Sequence, residues 1–479
     1  MKTYLKRGLT LILSLLVLFF SLVYLSYLLK IKRSDGPLSM QSLYAQKKNT
    51  CDVLLLGSSH VGMNLDTEEL WHSFGIPAYN LWGSIQPFWN SYYTLQEALK
   101  AQRPKVVVLD VFSAIMQSEY QDPARQETNL VGMHHNMNRI RATKVSAPPE
   151  RHMNLFLEFP LYHTRIRELT GDDFAHFPWT KGLINYKGSF VHYGSSGGTM
   201  PITEPTGQVT PLPAKQEEYL LKIIRLCQEE ALPLVLIKTP YNGWNDEQGF
   251  YNRVGQIAQE HNIPFIDFNT LWNSLGMNDS DIWVDQLHIN TQGGRKLSHW
   301  LGSFLFENYG LTDRRDDPDY ASWQLYSQQQ RTDYLKSITN TADYLNELCR
   351  YDYALLAIKQ GSWQGDADSL ADFYSLCRSF GLGTDFFAKE GCAHVLVPSA
   401  KKPEPVEHSL DEQLFCQYDF EGSQFTLQFT DILTLTHNNA AVVQKACDPL
   451  VLAVYDPATR SLLDAVEISP TAPFAVNHL

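Results

Sequence analysis

Cysteine is scarce in this sequence, and the spacing of its cysteines excludes several classes of protein. Seven cysteines in 479 residues are too few for a disulfide framework. No two of them form a Cys-x-x-Cys pair, which argues against zinc-ribbon and thioredoxin chemistry. Five lie in the C-terminal third, where one or two bridges stay open in an oxidising compartment. The seven are Cys51, Cys227, Cys349, Cys377, Cys392, Cys416 and Cys447.

Positive charge is also in deficit. The formal net charge of −13 at pH 7 argues against a nucleic acid as partner and against binding to an anionic lipid surface. With 44% hydrophobic and 12% aromatic residues, the chain can nevertheless build sizeable cores, and its composition does not indicate disorder. A length of 479 residues exceeds one typical domain, so two or three domains are expected.

Long hydrophobic runs are confined to the N-terminus. Residues 8–29 carry no charge and are long enough to cross the hydrocarbon core of a membrane. A cleaved signal peptide is the alternative, but the run exceeds a signal h-region and residues 25–28 lack a small-x-small cleavage site. The pattern predicts a transmembrane anchor at 1–33. Basic residues flank both ends, and the free amino terminus favours N-inside, which puts the globular part outside the cytoplasm.

Beyond a polar tether predicted at 34–50, residues 51–309 alternate between strand-like and helix-like segments. This alternation predicts an α/β fold with a flavodoxin-like, three-layer parallel sheet. The predicted strands are 53–56, 78–82, 106–111, 234–238 and 264–267, and the predicted helices are 89–101, 215–230, 248–262 and 294–307. Residues 113–212 break the alternation, and so long an excursion is usually functional, as a lid or a substrate-binding insert.

A serine follows the first predicted strand. The apolar run 53–56 ends in Gly57-Ser58-Ser59, at a turn into a helix-compatible segment. Open α/β sheets place their chemistry at the carboxyl ends of strands, where a serine hydroxyl can point into a crevice while backbone N–H groups face a developing oxyanion. The alternative is a turn and a helix cap, since serine is favoured at both.

An aspartate and a histidine precede the last predicted helix. Asp285 and His288 are three residues apart and can lie on the same side of a turn. There the carboxylate can orient the imidazole, leaving the other ring nitrogen to take a proton from a serine. An Asp-x-x-His pair alone is usually structural, but its combination with Ser59 after the first strand favours a Ser-His-Asp triad.

With these motifs the sequence resembles the SGNH, or GDSL-like, superfamily of hydrolases and acyltransferases over roughly residues 50–308. Its first block falls on 57–59, which makes Ser59 the expected nucleophile. Its last block falls on 285–288, which makes Asp285 and His288 the expected partners. Its second block, a glycine after the second strand, resembles Gly83. The resemblance implies the three-layer SGNH architecture.

The match departs from the family pattern in two places. Ser58 stands where the family usually has Asp, a variant similar to the cell-surface branch that includes the D-alanine transfer protein of teichoic acids. The third block, Gly-x-Asn-Asp, has no match after strand 106–111, so its Asn oxyanion donor is missing or supplied from elsewhere. The resemblance implies that the backbone N–H groups of Ser59 and Gly83 stabilise the oxyanion. Ser58 and His60 are further oxyanion- or substrate-binding candidates, and His60 either contacts substrate or packs.

The insert at 113–212 is rich in histidine, arginine and aromatic residues. His134 and His135 are adjacent, but no cysteine or carboxylate stands at ligand spacing, so no metal and no cofactor are predicted. Arginine and aromatic side chains of the insert could contact a sugar or an anionic polymer. The glycine- and serine-rich stretch 194–198 is predicted to be a turn, because it lacks the Lys-Ser/Thr ending of a phosphate loop.

Past residue 309 the composition shifts to a charged linker predicted at 310–331. In the remainder, 332–479, helices are predicted at 333–350 and 366–380 around a strand at 353–358. Further strands are predicted at 414–420, 425–429, 450–455 and 462–468. This pattern indicates a separate α+β or β-sandwich-like domain that binds a glycan or a partner protein, or simply packs.

The resemblance implies an extracytoplasmic serine-dependent O-acyltransferase that acts on cell-envelope or secreted polysaccharide. Its relatives in alginate-type O-acetylation work with a membrane-bound O-acyltransferase, so such a partner is expected, with a glycan or teichoic acid as acceptor. The same triad would serve a carbohydrate esterase, whose acceptor is water. The missing third block also leaves open a non-catalytic envelope scaffold.

Overall fold

The computed structural model describes residues 2–30, 37–175, 186–192, 194, 199, 206–241, 243, 247–359, 367–388, 393–400, 404, 406–409, 414–420, 422–429, 432–445, 450–469 and 475–479. Its contacts divide the chain into two compact units, Met1–Ser327 and Gln328–Leu479. Residues 31–36 of the predicted anchor and tether, and residues 195–198 of the predicted turn, lie outside the described residues.

The first unit combines α-helices with one sheet. Its α-helices are α1 (Lys2–Leu29), α2 (Pro37–Ala45), α3 (Ser59–Asn64), α4 (Thr67–Phe74), α5 (Phe88–Ala98), α6 (Pro123–Leu130), α7 (Met137–Ser146), α8 (His152–Leu157), α9 (Phe159–Tyr162), α10 (Gly171–Ala175), α11 (Ala214–Glu229), α12 (Gln248–Glu260) and α13 (Thr291–Asn308). Its strands are β1 (Val53–Gly57), β2 (Ala78–Trp82), β3 (Val106–Asp110), β4 (Leu234–Lys238) and β5 (Phe265–Asp267). The unit boundary falls within α14 (Ala321–Ser337).

The five strands form a parallel sheet in the order β2-β1-β3-β4-β5. Val53 of β1 pairs with Ala78 of β2 and with Val106 of β3, so the carboxyl ends of these strands lie at one edge. This order is one of the two common orders of doubly wound sheets, with its switch point between β1 and β3. The predicted α/β fold with a parallel sheet is confirmed, whereas the SGNH assignment stays a prediction.

Alternate residues of β1 face two separate cores. Leu54 and Leu56 belong to a buried cluster that includes Trp89 of α5. Val53 and Leu55 belong to a second cluster, which includes Leu301 of α13. Because both faces of the strand are covered, its residues are all apolar and do not alternate with polar ones.

Helix α1 is long and apolar enough to cross a membrane, as predicted for the anchor. Residues 4–18 are all exposed, whereas Ser26, Leu29 and the following Lys30 are buried within the first unit. Ser26 Oγ donates a hydrogen bond to the Leu157 carbonyl at 3.0 Å. The C-terminal end of α1 is therefore part of the packed unit.

Two segments expected to be connectors are packed instead. Within the predicted tether at 34–50, α2 buries Met40 and Leu43 in the core beneath the sheet. Within the predicted linker at 310–331, Tyr320 and Trp323 are buried in the same core. Both differences have the same cause, since a short apolar pair inside a polar stretch is enough to bury one face of a helix.

The insert is helical over the part that the structure describes up to residue 175. It comprises α6 to α10 with short 3-10 helices at Phe112–Ile115, Pro149–Arg151 and His163–Arg167. Arg139 of α7 is buried and donates to the carbonyls of Met133 and Leu155 at 2.8 and 2.7 Å. Arg139 and Lys30 both form ion pairs with the buried Glu158, which joins the insert to the end of α1.

The second unit is an antiparallel β-rich region, as expected. It contains α15 (Thr341–Leu348), β6 (Ala354–Lys359), α16 (Ala367–Arg378), α17 (Thr384–Ala388), β7 (Ala393–Val397), β8 (Val406–Ser409), β9 (Leu414–Phe420), β10 (Ser423–Phe429), β11 (Leu433–His437), β12 (Ala440–Lys445), β13 (Leu450–Asp456), β14 (Ser461–Ile468) and β15 (Val476–His478). The strands form sheets in the orders β12-β11-β10-β9 and β15-β14-β13-β6-β7-β8. Leu356 of one sheet and Leu427 of the other share one core, a sandwich-like arrangement.

The helix predicted at 333–350 is wrong in its extent. The structure ends α14 at Ser337 and starts α15 at Thr341, because Asn340 caps α15 by accepting a hydrogen bond from the Asp343 N–H at 3.1 Å. The cysteines Cys51, Cys227, Cys349 and Cys377 are free. Cys392, Cys447 and the side chain of Cys416 lie outside what the structure describes, so a bridge in the C-terminal third stays a prediction for these three.

Candidate active site

Ser59 lies at the carboxyl end of β1, as the first residue of α3. Gly57 ends the strand with a φ of +154°, and a Cβ there would lie 2.9 Å from the Cβ of Asp110, so the turn requires glycine. Ser58 caps α3, since its Oγ accepts a hydrogen bond from the His60 N–H at 3.3 Å. The turn leaves Ser59 half-buried beside the switch point of the sheet.

Side chains from two distant segments form a continuous hydrogen-bonded chain. Ser59 Oγ lies 2.9 Å from His288 Nε2, although the two residues are 229 positions apart in the sequence. His288 Nδ1 lies 2.6 Å from Asp285 Oδ2. The His288 side chain is 11% exposed and that of Asp285 is 30% exposed. The structure thus brings the three predicted catalytic residues together.

A closed loop holds Asp285 and His288 in place. Ile282 and Ile289 form an antiparallel bridge across its base, and the Trp283 N–H donates to the His288 carbonyl at 3.0 Å. Inside the loop, Asp285 Oδ1 accepts hydrogen bonds from two backbone N–H groups at 2.9 and 3.0 Å. The carboxylate is therefore fixed by its own loop, with its second oxygen left to bind the imidazole.

The position of each proton in the series Ser59, His288 and Asp285 follows from the hydrogen-bond partner that each group has. Burial opposes ionisation of Asp285, but the hydrogen bond and charge of His288, together with the two backbone N–H donors, outweigh it and lower the pKa of Asp285 to about 2. A carboxylate can only accept, so His288 Nδ1 carries the hydrogen and donates it. In the neutral ring Nε2 is then an acceptor, and the Ser59 hydroxyl donates to it. This is the arrangement that a serine nucleophile needs.

The insert supports the same loop through His192. Its Nε2 donates to the Ile289 carbonyl at 2.7 Å, and its own carbonyl accepts from the Thr291 N–H at 3.1 Å. Its ring packs edge-on against Trp283, with 4.5 Å between ring centroids. The sequence pattern did not single out His192, because its partners lie almost one hundred residues away.

His60 is buried against the catalytic imidazole. It is 2% exposed, and its ring centroid lies 4.2 Å from that of Phe112 and 4.7 Å from that of His288. Burial, together with the neighbouring His288, holds the pKa of His60 well below its usual value. His60 is therefore a neutral imidazole beside the nucleophile, so the alternatives of packing and substrate contact both stay open.

Asn64 fixes which nitrogen of His60 carries the hydrogen. Asn64 Oδ1 accepts from the Ile289 N–H at 3.1 Å, and Nδ2 donates to the Pro240 carbonyl at 3.3 Å, which sets the amide orientation. Asn64 Nδ2 also lies 3.2 Å from His60 Nδ1 and 3.1 Å from Thr239 Oγ1, and an amide nitrogen can donate a hydrogen bond but cannot accept one. His60 Nδ1 is thus an acceptor, and the hydrogen of the neutral ring resides on Nε2. Sequence reasoning missed Asn64.

Asp110 is a buried carboxyl group beneath the turn. It ends β3, is 2% exposed, and accepts hydrogen bonds from Ser58 Oγ at 3.2 Å and from the Phe112 N–H at 3.3 Å. Burial raises its pKa to about 7, against the lowering effect of these donors. Ser58 is 1% exposed and binds Asp110, so it holds the turn together. Its predicted role toward substrate stays a prediction.

Gly83 lies next to the turn but its amide is engaged. Its N–H donates to the Gly57 carbonyl at 3.3 Å, continuing the ladder between β1 and β2. A Cβ at Gly83 would lie 2.0 Å from Asn129 Oδ1, so a larger residue there would have to displace the Asn129 amide. The predicted oxyanion role of the Gly83 N–H stays a prediction, and would require this long hydrogen bond to be shared or broken.

The adjacent histidines of the insert pack against aromatic rings. His134 stacks on Tyr44 with 3.6 Å between ring centroids, and His135 contacts Phe156 edge-on at 5.4 Å. Within the described ranges, no group of three or more histidine, cysteine or carboxylate side chains could hold a metal ion.

Comparisons with known proteins add little to this geometry. No family model matches the sequence, and no curated protein matches it. One solved structure, described as a gut microbial diltiazem-metabolizing enzyme, matches with 13% identity and a TM-score of 0.19, over 56% of this chain and 49% of that one. The chain therefore spans about half the length of that structure, and a likeness this weak carries no argument about fold or activity.

Proposed function

We propose that this chain is a serine-dependent O-acyltransferase, anchored by α1 with its globular part outside the cytoplasm, that acts on cell-envelope or secreted polysaccharide. The observation that supports the proposal is the hydrogen-bonded chain from Ser59 through His288 to Asp285 at the carboxyl end of β1. A membrane-bound O-acyltransferase would deliver the acyl group, and a glycan or teichoic acid would receive it.

Acylation begins with attack of Ser59 Oγ on the carbonyl carbon of an acyl ester. As the new C–O bond forms, the hydroxyl proton passes to His288 Nε2, and Asp285 stabilises the resulting imidazolium through Nδ1–H. The imidazolium then returns its proton to the leaving alcohol as the ester C–O bond breaks. The product is an ester on Ser59, which divides the transfer into two steps.

The negative charge on the tetrahedral intermediate requires hydrogen-bond donors. Ser59 supplies its own N–H, which is the first of α3 and so has no acceptor inside that helix. His60 supplies a second donor, because Asn64 fixes the hydrogen on its Nε2 and burial keeps the ring neutral. This pair fills the place of the asparagine that the third block lacks.

Deacylation reverses these roles with a new acceptor. His288 removes a proton from a sugar hydroxyl, which attacks the Ser59 ester and releases the serine. If water takes this place, the protein is a carbohydrate esterase with the same triad. If Ser59 never becomes acylated, the first unit is a non-catalytic envelope scaffold.

The test is trapping of the acyl-enzyme in the full-length chain in detergent micelles. After incubation with p-nitrophenyl acetate, intact-mass and peptide mass spectrometry should find one acetyl group, on Ser59. Ser59→Ala should abolish the adduct. Ser303→Ala, a matched change on α13 whose hydroxyl donates to Glu307 at 2.9 Å, should leave it intact.

Addition of oligosaccharide separates the two enzymatic alternatives. Loss of the adduct with appearance of acetylated sugar supports the transferase. Release of acetate alone, at a rate that sugar does not change, supports the esterase. An adduct that forms equally in Ser59→Ala would contradict the proposed nucleophile.

A further inference from the structure

Helix α1 can span a bilayer only with the part of it that packs against the insert. Its charge-free run begins at Gly8, so the part that precedes Phe19, residues 8–18, rises about 17 Å at 1.5 Å per residue. The hydrocarbon core of a bilayer is about 30 Å thick. From Phe19 onward the helix contacts the insert, since the Phe19 ring stacks on Phe156 at 6.5 Å between centroids. The remaining part of the core, about 13 Å, must therefore be crossed by the part of α1 that the insert covers on one side, where Phe20 and Tyr24 stay exposed on the other.

The insert presents apolar side chains beside this end of α1. Met153, Ile166 and Phe174 are 64%, 63% and 59% exposed, and all three belong to short helical segments that contact α1. Arg165 connects the segments of Ile166 and Phe174 to the end of α1. It donates to the Leu29 carbonyl at 2.8 Å and pairs with Asp173 at 2.8 Å. Ile166 and Phe174 are the sequence neighbours of this pair.

The charged groups at the base of α1 pair with one another inside the first unit. Arg165 Nη1 also donates to the Lys30 carbonyl at 3.2 Å, so the last carbonyls of the helix have a partner. The Lys30 ammonium pairs with Glu158, which also pairs with Arg139, and these three residues are at most 2% exposed. Polar groups that lie at membrane depth need partners inside the protein, because little water is available there.

We propose that these segments, residues 152–175, form a collar that inserts into the boundary between lipid headgroups and acyl chains. Arg165 binds the carbonyl of Leu29, the last residue of the charge-free run, so its neighbour Ile166 lies at that boundary, where interfacial helices insert by about 5–10 Å. Arg167 and Glu168 are exposed between Ile166 and Phe174, which limits insertion to the headgroup level. The inference is independent of the chemistry at Ser59, but rests on the proposal that α1 spans a bilayer.

The test places an environment-sensitive fluorophore on single added cysteines in the full-length chain in phosphatidylcholine vesicles. The positions are Leu13→Cys on α1, Ile166→Cys and Phe174→Cys on the collar, and Gln259→Cys on α12 as an exposed control. The parent chain gives the background labelling of its own cysteines. Lipids brominated near the headgroup end of the acyl chain should quench both collar labels at least about two-fold more than the control.

Bilayer thickness provides a second readout that does not depend on any one variant. In thinner dimyristoleoyl bilayers a shorter part of α1 crosses the core, so quenching at Ile166 and Phe174 should fall while that at Leu13 persists. Collar labels quenched no more than Gln259 in dioleoyl bilayers, with Leu13 quenched, would overturn the collar alone. An unquenched Leu13 would overturn the anchor and the collar with it. Collar labels shielded equally from lipid and from an aqueous quencher would indicate a protein occupant and also contradict the inference.

Discussion

Each unit contains an aspartate that pairs with the Nδ1 atom of a histidine. In the first unit, Asp285 pairs with His288 at 2.6 Å, and Nε2 of that ring meets the Ser59 hydroxyl. In the second unit, Asp464 pairs with His478 at 2.9 Å, but Nε2 of that ring donates to the Ile338 carbonyl at 2.9 Å. The first pair can therefore accept a proton, whereas the second joins a strand to the segment after α14. An aspartate–histidine pair is therefore a candidate catalytic site only if the second ring nitrogen, Nε2, faces a group that can give it a proton.

The two aspartates also ionise differently. Asp285 has a pKa lowered to about 2, because its partners outweigh its burial. Asp464 accepts from the Tyr344 hydroxyl at 3.0 Å and its Oδ2 lies 2.9 Å from His478 Nδ1, yet burial prevails and raises the pKa of Asp464. In the more exposed loop, Asp285 stays ionised and can stabilise an imidazolium at His288. The buried pair of Asp464 and His478 stabilises the packing within the second unit.

The largest expected effect comes from removing each imidazole in turn. His288→Ala should lower the rate of Ser59 acylation by up to about ten thousand-fold, because it removes the base that lies 2.9 Å from the hydroxyl. His478→Ala should leave that rate unchanged and lower the midpoint of thermal unfolding of the second unit. Stopped-flow release of p-nitrophenol and hydrogen exchange of each unit measure the two effects. Comparable losses of acylation in both variants would contradict the division of roles.

A smaller effect is expected from the residue that positions the histidines. Asn64→Ala removes the contacts to His60 and to the Ile289 N–H, so the turnover rate should fall about 10- to 100-fold with little change in KM. The matched change Asn340→Ala removes a helix cap in the second unit and should lower stability by about 1 kcal/mol without affecting turnover. A fall in turnover that tracks lost stability equally in both variants would make Asn64 merely structural.

The smallest effect is the opposite pH dependence of the two carboxyl groups. Since the folded pKa of Asp285 is depressed, its stabilising contribution is present above its ordinary pKa near 4 and is lost as the pH falls towards about 2. Since that of Asp464 is raised, its contribution is present below about 4 and is lost as the pH rises through the folded value. Unfolding midpoints of Asp285→Asn and Asp464→Asn against the parent, from pH 2.5 to 7, should show differences of opposite slope. Parallel slopes would refute the assignment.

The central sheet was predictable from sequence because its strands are buried on both faces. Strands β2 and β4 have the predicted bounds, since each is a short apolar run with turn residues at its ends. The strands β7, β8, β11, β12 and β15 of the second unit were not predicted, because half-covered antiparallel strands mix polar and apolar residues.

The candidate site was predictable only where its chemistry follows from residue type and local spacing. Asp285 and His288 lie three positions apart, and Ser59 follows a strand, so each leaves a local signal. Asn64 and Asp110 leave none. Their functions arise from partners such as Ile289 and Thr239, 225 and 129 positions away. The order of the strands in the sheet brings these distant residues together, and a local sequence pattern does not show that order.

The buried base of α1 imposes an order on biosynthesis. Lys30 is synthesised long before Glu158. Its ammonium group therefore has no Glu158 to pair with until residues 152–175 have been made and have folded against it. Cleavage of α1 in the meantime would leave Glu158 and the carbonyl-binding arm of Arg165 without those partners. A chain that has kept its N-terminal helix therefore gains contacts inside the first unit that a cleaved chain lacks, so cleavage should lower the stability of this unit.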